Sequence, residues 1–334
     1  MKKLSFLDKF IYFFNSLFAT ILLLSYLLPF VSPKTIPFFA ILSLFVPFLI
    51  SINILFSVYW LIKLKKQFLL STFVLIVGWL FAAPFVKITA KNSSFNNDLK
   101  VMSYNVKTFD LFFKNIDSTK HKSGYDFIAN HDPDILTIQE FYKSSKVNLK
   151  YPYKYVKFKK NKFGMAIYSK YKIINKGSLD LPNTTNNIIF TDIKRENDTI
   201  RIYNIHLESL RIKPNEENFG EENSEKLVRR ISKAFSKQAT QIELFLEHEK
   251  NWKGKKIICG DFNNTAYSWV YKQVSKNKKD AFLEAGKGFG KTYNYWFPMR
   301  IDFILTDENA IINQFKSLTE YYSDHYPIYS KINW

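Results

Sequence analysis

The sequence predicts a single α/β domain built on two packed sheets over residues 99–334, behind an N-terminal membrane anchor of three helices in residues 1–90. Three observations predict it. Short β-type runs alternate with loops and a few helical stretches throughout the C-terminal two thirds, as layered α/β domains require. Three apolar stretches, residues 10–31, 36–62 and 68–86, come first, each close to or above the roughly 20 residues that a helix needs to cross a bilayer core. Six of the strand-like runs end in a carboxylate, an amide or an imidazole, so their ends can converge on one mouth.

Composition divides the chain at the same place. Its formal net charge is +19, yet residues 1–90 hold one acidic residue, Asp8, and eight lysines among Phe, Leu, Ile and Val. The remainder carries 40 basic and 28 acidic residues, a surplus that raises the local concentration of anionic, phosphate-bearing partners. A lysine-rich coding bias gives the same total. The lone Cys259 excludes an intramolecular disulfide and any Cys-x-x-Cys metal site, and it reads as a small buried side chain in KIICGDF.

Lysine placement orients the anchor. Lys2, Lys3 and Lys9 flank the first stretch and Lys63, Lys65 and Lys66 fill the second gap, whereas the first gap holds only Lys34. The excess of cations on cytoplasmic loops therefore puts the N-terminus inside, and three crossings deliver the C-terminal domain to the outer face. Lys87 and Lys91, just beyond the third stretch, run against that placement. A cleaved signal peptide fits poorly, because successive spans follow without a small-residue cleavage site. Residues 91–98, KNSSFNND, are polar and read as a linker.

Within residues 99–334, strands are expected at 100–105, 135–139, 153–159, 165–169, 188–194, 200–205, 256–259, 301–306 and 326–332. Helices are expected at 125–130, 268–274 and, most strongly, 224–249, where Leu227, Ile231, Phe235, Ala239, Ile242 and Phe245 form a stripe of helical period. The acidic segment 213–225 reads as a mobile loop near the mouth.

The clusters carry the chemistry. GDFNN ends an apolar run at Gly260, where the chain can turn tightly, and presents Asp261 and Asn263 at alternate positions. Asp261 can take a proton from water, and Asn263 can donate to a phosphate oxygen as charge builds on it. SDHYP places Asp324 beside His325, and RIDFIL supplies Asp302 as a carboxylate able to orient the imidazole. Glu140 closes ILTIQE and Asn105 closes VMSYNV; a carboxylate buried at a strand end calls for a hard cation such as Mg²⁺, which keeps most of its waters and needs few protein ligands. In IYNIHLES, Asn204 and His206 share one face of a strand. Each cluster alone has an ordinary explanation: an Asx turn after a strand, a surface histidine beside an aspartate, a satisfied core histidine. No His/Cys cluster has the spacing of structural zinc.

Taken in order, Asn105, Gln139-Glu140, Asn204-x-His206, Gly260-Asp261-Phe262-Asn263, Asp302 and Asp324-His325 resemble the endonuclease/exonuclease/phosphatase family of metal-dependent phosphoesterases, over essentially the whole soluble part. The resemblance implies a four-layered α/β sandwich, two mixed sheets face to face with helices outside. It implies Mg²⁺, with Mn²⁺ able to replace it, held by Glu140 with Asn105 beside it and Asp324 near. Asp261 looks like the residue that aligns or deprotonates the attacking water, and Asn263 like its phosphate-binding neighbour. His325 is similar to the histidine that contacts the scissile phosphate, with Asp302 orienting it. His206 matches an extra histidine of the DNase and sphingomyelinase branches, which apurinic-site enzymes lack. Lys107 stands where apurinic-site enzymes place an acidic residue, which weakens a second metal at this end.

The expected partners are thus a phosphate ester, whether lipid headgroup, small molecule or nucleic acid, and a lipid bilayer. A nuclease would use the aromatic and basic run Tyr151, Tyr153, Tyr155, Lys157, Lys159 and Lys160 to hold bases and phosphates, although the same alternation describes an ordinary two-sided strand. The rival of another class is a catalytically silent binding protein with the same fold.

Overall fold

The computed structural model describes residues 4–110, 118–142, 149–159, 163–212, 221–320 and 322–334. Two six-stranded sheets form the centre. The first carries β1 (Leu99–Asn105), β2 (Ile135–Tyr142), β3 (Tyr153–Phe158), β4 (Phe163–Ser169), β11 (Ile311–Ser317) and β12 (Ile328–Asn333) in the order β11-β12-β1-β2-β4-β3. The second carries β5 (Lys172–Ser178), β6 (Asn187–Arg195), β7 (Asp198–His206), β8 (Lys256–Asp261), β9 (Lys278–Asp280) and β10 (Asp302–Asp307) in the order β5-β6-β7-β8-β10-β9. Each sheet has one parallel pair at its centre, β1 with β2 and β7 with β8, and antiparallel neighbours elsewhere.

Alternation along each strand sorts the two faces. Leu99, Val101, Ile135 and Ile167 of the first sheet meet Ile189, Ile200, Ile202, Ile257, Cys259 and Ile304 of the second in a buried layer between the sheets. The alternate residues face outward. Met102, Tyr104 and Leu136 pack with Phe127 and Ile128 of α4 (Ser118–His131), and Tyr203, Ile205 and Ile258 pack with Ile242 and Phe245 of α5 (Glu221–Glu249). The order helix, sheet, sheet, helix is the four-layered sandwich expected. Segments 213–220 of the expected acidic loop lie outside the described residues, and from Glu221 the chain is already helical. The short helix expected at 268–274 is α6 (Trp269–Ser275), capped by the Ser268 hydroxyl accepting from Tyr271 N–H.

Three strands and one helix have no counterpart among the expectations. The strand β5 lies on a sheet edge with mostly exposed side chains, so its residues show no two-residue alternation of polarity. The strand β9 has three residues, β11 is interrupted by a register shift between Ile312 and Gln314, and α7 (Ala281–Ala285) has five. None is long enough for its period to stand out.

The N-terminal residues form an antiparallel bundle of α1 (Phe6–Ser25), α2 (Leu42–Ile62) and α3 (Phe68–Phe81). The sequence predicts three spans, but only two helical segments reach spanning length: Phe6–Phe30, 25 residues, and Phe39–Ile62, 24 residues. The third stretch stops after the 14 residues of α3, about 21 Å at 1.5 Å per residue. Its last turn gives way to extended backbone at Ala82, two residues before Pro84, whose ring bars the helical conformation just ahead of it. Asn15 and Asn53 are far from isolated. The Asn15 amide donates to the Ser71 hydroxyl (2.6 Å), Ser71 donates to the Asn53 oxygen (2.9 Å), and the Trp60 indole donates to the Asn15 oxygen (2.9 Å). The three helices are thereby pinned in register by a buried polar knot.

The bundle is packed onto the sandwich. Tyr267, after β8, is buried among Leu22, Leu28, Val46, Leu49 and Val74, while Leu210 and Phe235 pack with Ala40, Ile41 and Leu44. The Thr265 hydroxyl donates to Ser43 O (2.8 Å) and the Ser43 hydroxyl to Asn264 Oδ1 (3.2 Å). Beyond α3, Ser93 N–H donates to Asn313 O (2.9 Å), so the polar stretch 91–98 lies along the edge of the first sheet.

Candidate active site

At one end of the inter-sheet layer, the inward positions change from apolar to polar. On β1 the series Leu99, Val101, Ser103 ends at Asn105, and on β7 Ile200 and Ile202 lead to Asn204 and His206. On β8 Ile257 and Cys259 lead to Asp261, while β10 starts with Asp302. Register does the rest: His206 is paired with Asp261 and Asp261 with Asp302, so three functional groups lie side by side across three strands. Deeper polar side chains close the layer beneath them. Gln139 donates to Asn204 Oδ1 (2.6 Å), and the Asn204 amide donates to the carbonyls of Ile138 (2.9 Å) and Ala166 (3.0 Å), stitching one sheet to the other.

Glu140 reaches the same mouth by an irregularity. Regular alternation after Gln139 would point it outward, toward α4. Pairing between β2 and β4 instead slips between Ile138 and Phe141, both of which pack outward, and Glu140 takes a positive φ of 50°. Two residues thus occupy the place of one, and the bulge turns the carboxylate back toward the mouth. There its Oε1 lies 3.4 Å from the Asn105 amide nitrogen and 3.8 Å from His206 Nε2.

Asp261 is the hub. It is 1 % exposed, accepts from Asn263 N–H (2.7 Å), the Asn263 amide (3.2 Å) and the Asn105 amide (3.0 Å), and lies 3.7 Å from Nε2 of both His206 and His325. Asn263 holds a positive φ of 49°, the conformation an Asx turn tolerates. Burial pushes the Asp261 carboxyl up to about 7, although the His325 charge draws it down.

The two histidines differ in charge. His325 Nδ1 is 2.9 Å from Asp302 Oδ2, and Asp302 N–H donates in turn to the Thr292 hydroxyl (3.1 Å). Burial disfavours the His325 imidazolium, but Asp302 and Asp261 outweigh it and raise the ring to about 10. Burial lowers His206 to about 4, helped by the nearby His325 charge, so its ring is neutral at pH 7. Its Nε2 is buried without a hydrogen-bond partner among the described residues, between the carboxylates of Glu140 and Asp261.

Asp324 lies close enough to Glu140 to raise its carboxyl, and it has partners of its own. Lys107 Nζ pairs with its Oδ2 (2.7 Å) and the Ser323 hydroxyl contacts its Oδ1 (3.3 Å). Tyr293, which carried no signal in the sequence, packs edge-on against the His325 ring at 5.1 Å. Gln238 and Asn264 were equally silent. Gln238 donates to Asn263 O (3.2 Å) and accepts from Asn264 (2.9 Å), joining the Asp261 loop to α5 and, through Ser43, to α2.

A divalent cation fits this donor set. The Glu140 side chain is 39 % exposed, and burial on its protein side raises its carboxyl, with His325 opposing. Among the described residues it meets within hydrogen-bond range only the neutral Asn105 amide, while the Asp261 carboxylate converges on the same amide and faces the same Nε2. Two carboxylates facing one small gap call for a hard cation. Asp261, Asp302 and His325 also bring one ligand atom each within 4.8 Å of one another. The 2.9 Å bond between Asp302 and His325 marks that trio chiefly as an orienting dyad beside Asp261.

Part of the aromatic and basic run expected to serve a nucleic acid has partners within the fold. Tyr151 packs against Tyr168 at 5.5 Å and donates to Pro133 O (2.8 Å), Tyr155 packs on the inter-sheet core, and Lys159 is spent on the carbonyls of Leu181, Thr184 and Asn186. Lys160 lies outside the described residues.

Comparison with known proteins agrees with this geometry. Residues 102–325 match the model of the Endonuclease/Exonuclease/phosphatase family, and residues 8–85 match a domain of unknown function, DUF8431. Similar solved structures include humanised D. rerio TDP2, at 18 % identity and TM-score 0.54, covering 71 % of this chain and 99 % of that one. The human Nocturnin catalytic domain, with bound sulfate, has 18 % identity and TM-score 0.53, covering 72 % and 96 %. No curated protein matches the sequence.

Proposed function

Because the chain belongs to the endonuclease/exonuclease/phosphatase family, we propose that it is a membrane-tethered phosphoesterase that hydrolyses a phosphate ester by in-line attack of water with the help of a bound divalent cation, Mg²⁺ or Mn²⁺. The convergence of Asn105, Asn263, His206 and His325 on the single buried carboxylate of Asp261 carries the reading. Asp261, raised toward neutrality, is suited to align water and accept its proton. His325, kept charged by Asp302, donates to the phosphate as negative charge grows on it, and the Asn263 amide adds a second donor. Glu140 and Asn105 would hold the cation, whose charge would offset that of the phosphate and of the departing oxygen. Neutral His206 supplies a donor or acceptor beside them without adding charge. Asp324 acts by holding Lys107 at the rim.

The tether supports an extracytoplasmic site. The C-terminal ends of α1 and α3 and the N-terminal end of α2 lie at the sandwich, whereas Lys9, Lys63, Lys65 and Lys66 lie at the other end of the bundle. If the lysine end is cytoplasmic, the catalytic domain is across the membrane, whether or not α3 alone would span it. A reporter fused after Trp334 that is active only in the cytoplasm would overturn this placement.

A panel of soluble phosphomonoesters and phosphodiesters, run with Mg²⁺ and with chelator, tests the activity. Metal-dependent release that disappears in His325→Ala and Asp261→Asn is the expected result. No release from any ester by the wild-type chain favours the catalytically silent alternative.

A further inference from the structure

The active-site wall continues into two aromatic turns that reach the bundle. Tyr293 bridges to both His325 and Met299, so residues 293–299 form a narrow excursion rooted on the catalytic histidine. Asn294 N–H also donates to Asp324 O (2.7 Å). At the tip Trp296 is 74 % exposed, while its neighbour Phe297 sits 6.1 Å from Phe48 of α2 and stacks on Phe85 at 6.1 Å. Phe85 also lies 4.9 Å from Phe289, 47 % exposed on the adjoining turn, which is held to the tether by the bridge between Lys87 and Gly288.

Depth along α2 gives the position of these tips. Ser43 is buried against Asn264 and Thr265, so the sandwich covers the start of α2. Phe48 lies five residues further on, about 7.5 Å along the axis toward the lysine end. Beyond Ser43, outward-facing residues such as Phe45, Phe48 and Leu55 are exposed apolar side chains, as on a lipid-facing helix. Phe297, with Trp296 beside it, therefore stands along the stretch of α2 whose outer face is bare. A bare indole is poorly placed in water but well placed at headgroup depth, where its ring is apolar and its N–H finds a partner. Lys287 and Lys291 flank the Phe289 turn in the chain and Lys87 bridges to it, a source of counter-charge for lipid phosphates.

We propose that the Trp296 and Phe289 turns seat the catalytic mouth on the bilayer surface, so that the ester it cleaves is the phosphorylated headgroup of a membrane lipid. The proposal rests on the membrane-tethered phosphoesterase reading and names its substrate class. A headgroup phosphate reaches His325 without leaving the interface, whereas a nucleic-acid duplex would have to wedge between the Trp296 turn and the lipid.

The full chain in vesicles of phosphatidylcholine and phosphatidylglycerol provides the test. The chain has six tryptophans, so the fluorescence difference between wild type and Trp296→Phe isolates this indole. That difference should be quenched by lipids brominated near the headgroup and protected from aqueous iodide. In Trp296→Ser, the ratio of phospholipid headgroup release to hydrolysis of a soluble nitrophenyl phosphate ester should fall about tenfold, as lost interfacial anchoring predicts. Quenching by iodide but not by bromolipid would overturn the seating. Cleavage of soluble DNA or RNA with vesicle phospholipid untouched would overturn the substrate class. If wild type and His325→Ala are equally inert toward every ester, the phosphoesterase reading fails, while the quenching experiment still judges the seating.

Discussion

Two buried polar clusters, one in the bundle and one in the sandwich, obey different rules. The knot of Asn15, Ser71, Asn53 and Trp60 is neutral and closed: every contact joins a donor to an acceptor on another helix or turn. The cluster of Asn105, Glu140, His206 and Asp261 is charged and open. Two carboxylates face one gap, and the Nε2 of His206 has no hydrogen-bond partner among the described residues. A fully satisfied network rigidifies a core, whereas a partly satisfied one is costly unless something else completes it. The contrast separates a device for holding helices together from a site prepared for a ligand.

Changes in the open cluster should break activity and spare the fold. Asp261→Asn or His325→Ala is expected to lower kcat/KM about 10³-fold, with a circular dichroism spectrum and Tm close to wild type. A fall smaller than tenfold in both would remove these residues from the chemistry.

The pH profile sharpens the comparison, because only the open cluster titrates near neutrality. Asp261 must be ionised to accept a proton, so kcat/KM should rise with pH through about 7. His325 must keep its proton, so the rate should fall as pH approaches about 10. A bound cation beside Asp261 favours its charged form and should draw the rising limb lower as Mg²⁺ is added. A rising limb that persists in Asp261→Asn would assign it to another group.

Gln238→Ala tests the hydrogen-bonded path from α2 to the Asp261 loop. It frees Asn264 and the Asn263 carbonyl, and kcat should fall about tenfold with KM little changed, through misplacement of the Asn263 donor. An equal loss in KM alone would make its role substrate binding.

Changes in the closed knot should do the reverse. Asn15→Leu leaves the Trp60 indole without its acceptor and takes one donor from Ser71, which keeps Asn53, and about 1–3 kcal/mol of bundle stability should be lost. Thermal unfolding in detergent should report the loss, while soluble-ester turnover at 25 °C stays within about twofold, since surviving bundle still presents Ser43.

Much of the sandwich was legible because its central strands are apolar runs, buried on one face between the sheets and on the other under the helices, that turn polar at their ends. Asn204 with His206, and Ile257 with Cys259 and Asp261, share a face wherever the strand is regular, and the sequence period states this directly. The edge strand β5 was illegible because nothing buries either of its faces consistently. Tyr293 and Gln238 were illegible because their roles come from contacts with residues 32 and 26 positions away, which no local pattern encodes.

By itself, then, the sequence determined which residues could do chemistry and that strand ends would carry them, because side-chain type and two-residue period are local properties. Only the tertiary structure decided how they meet. The bulge that re-aims Glu140 depends on the partner strand β4. The different charge states of His206 and His325 depend on burial, which prevails at His206 and is outweighed at His325 by Asp302 and Asp261. The length of α3 depends on where Pro84 must turn toward the sandwich, and the place of Trp296 beside the bundle on Phe297 meeting Phe48. All four follow from packing between segments distant in the chain, and packing is what fixes register, burial and charge.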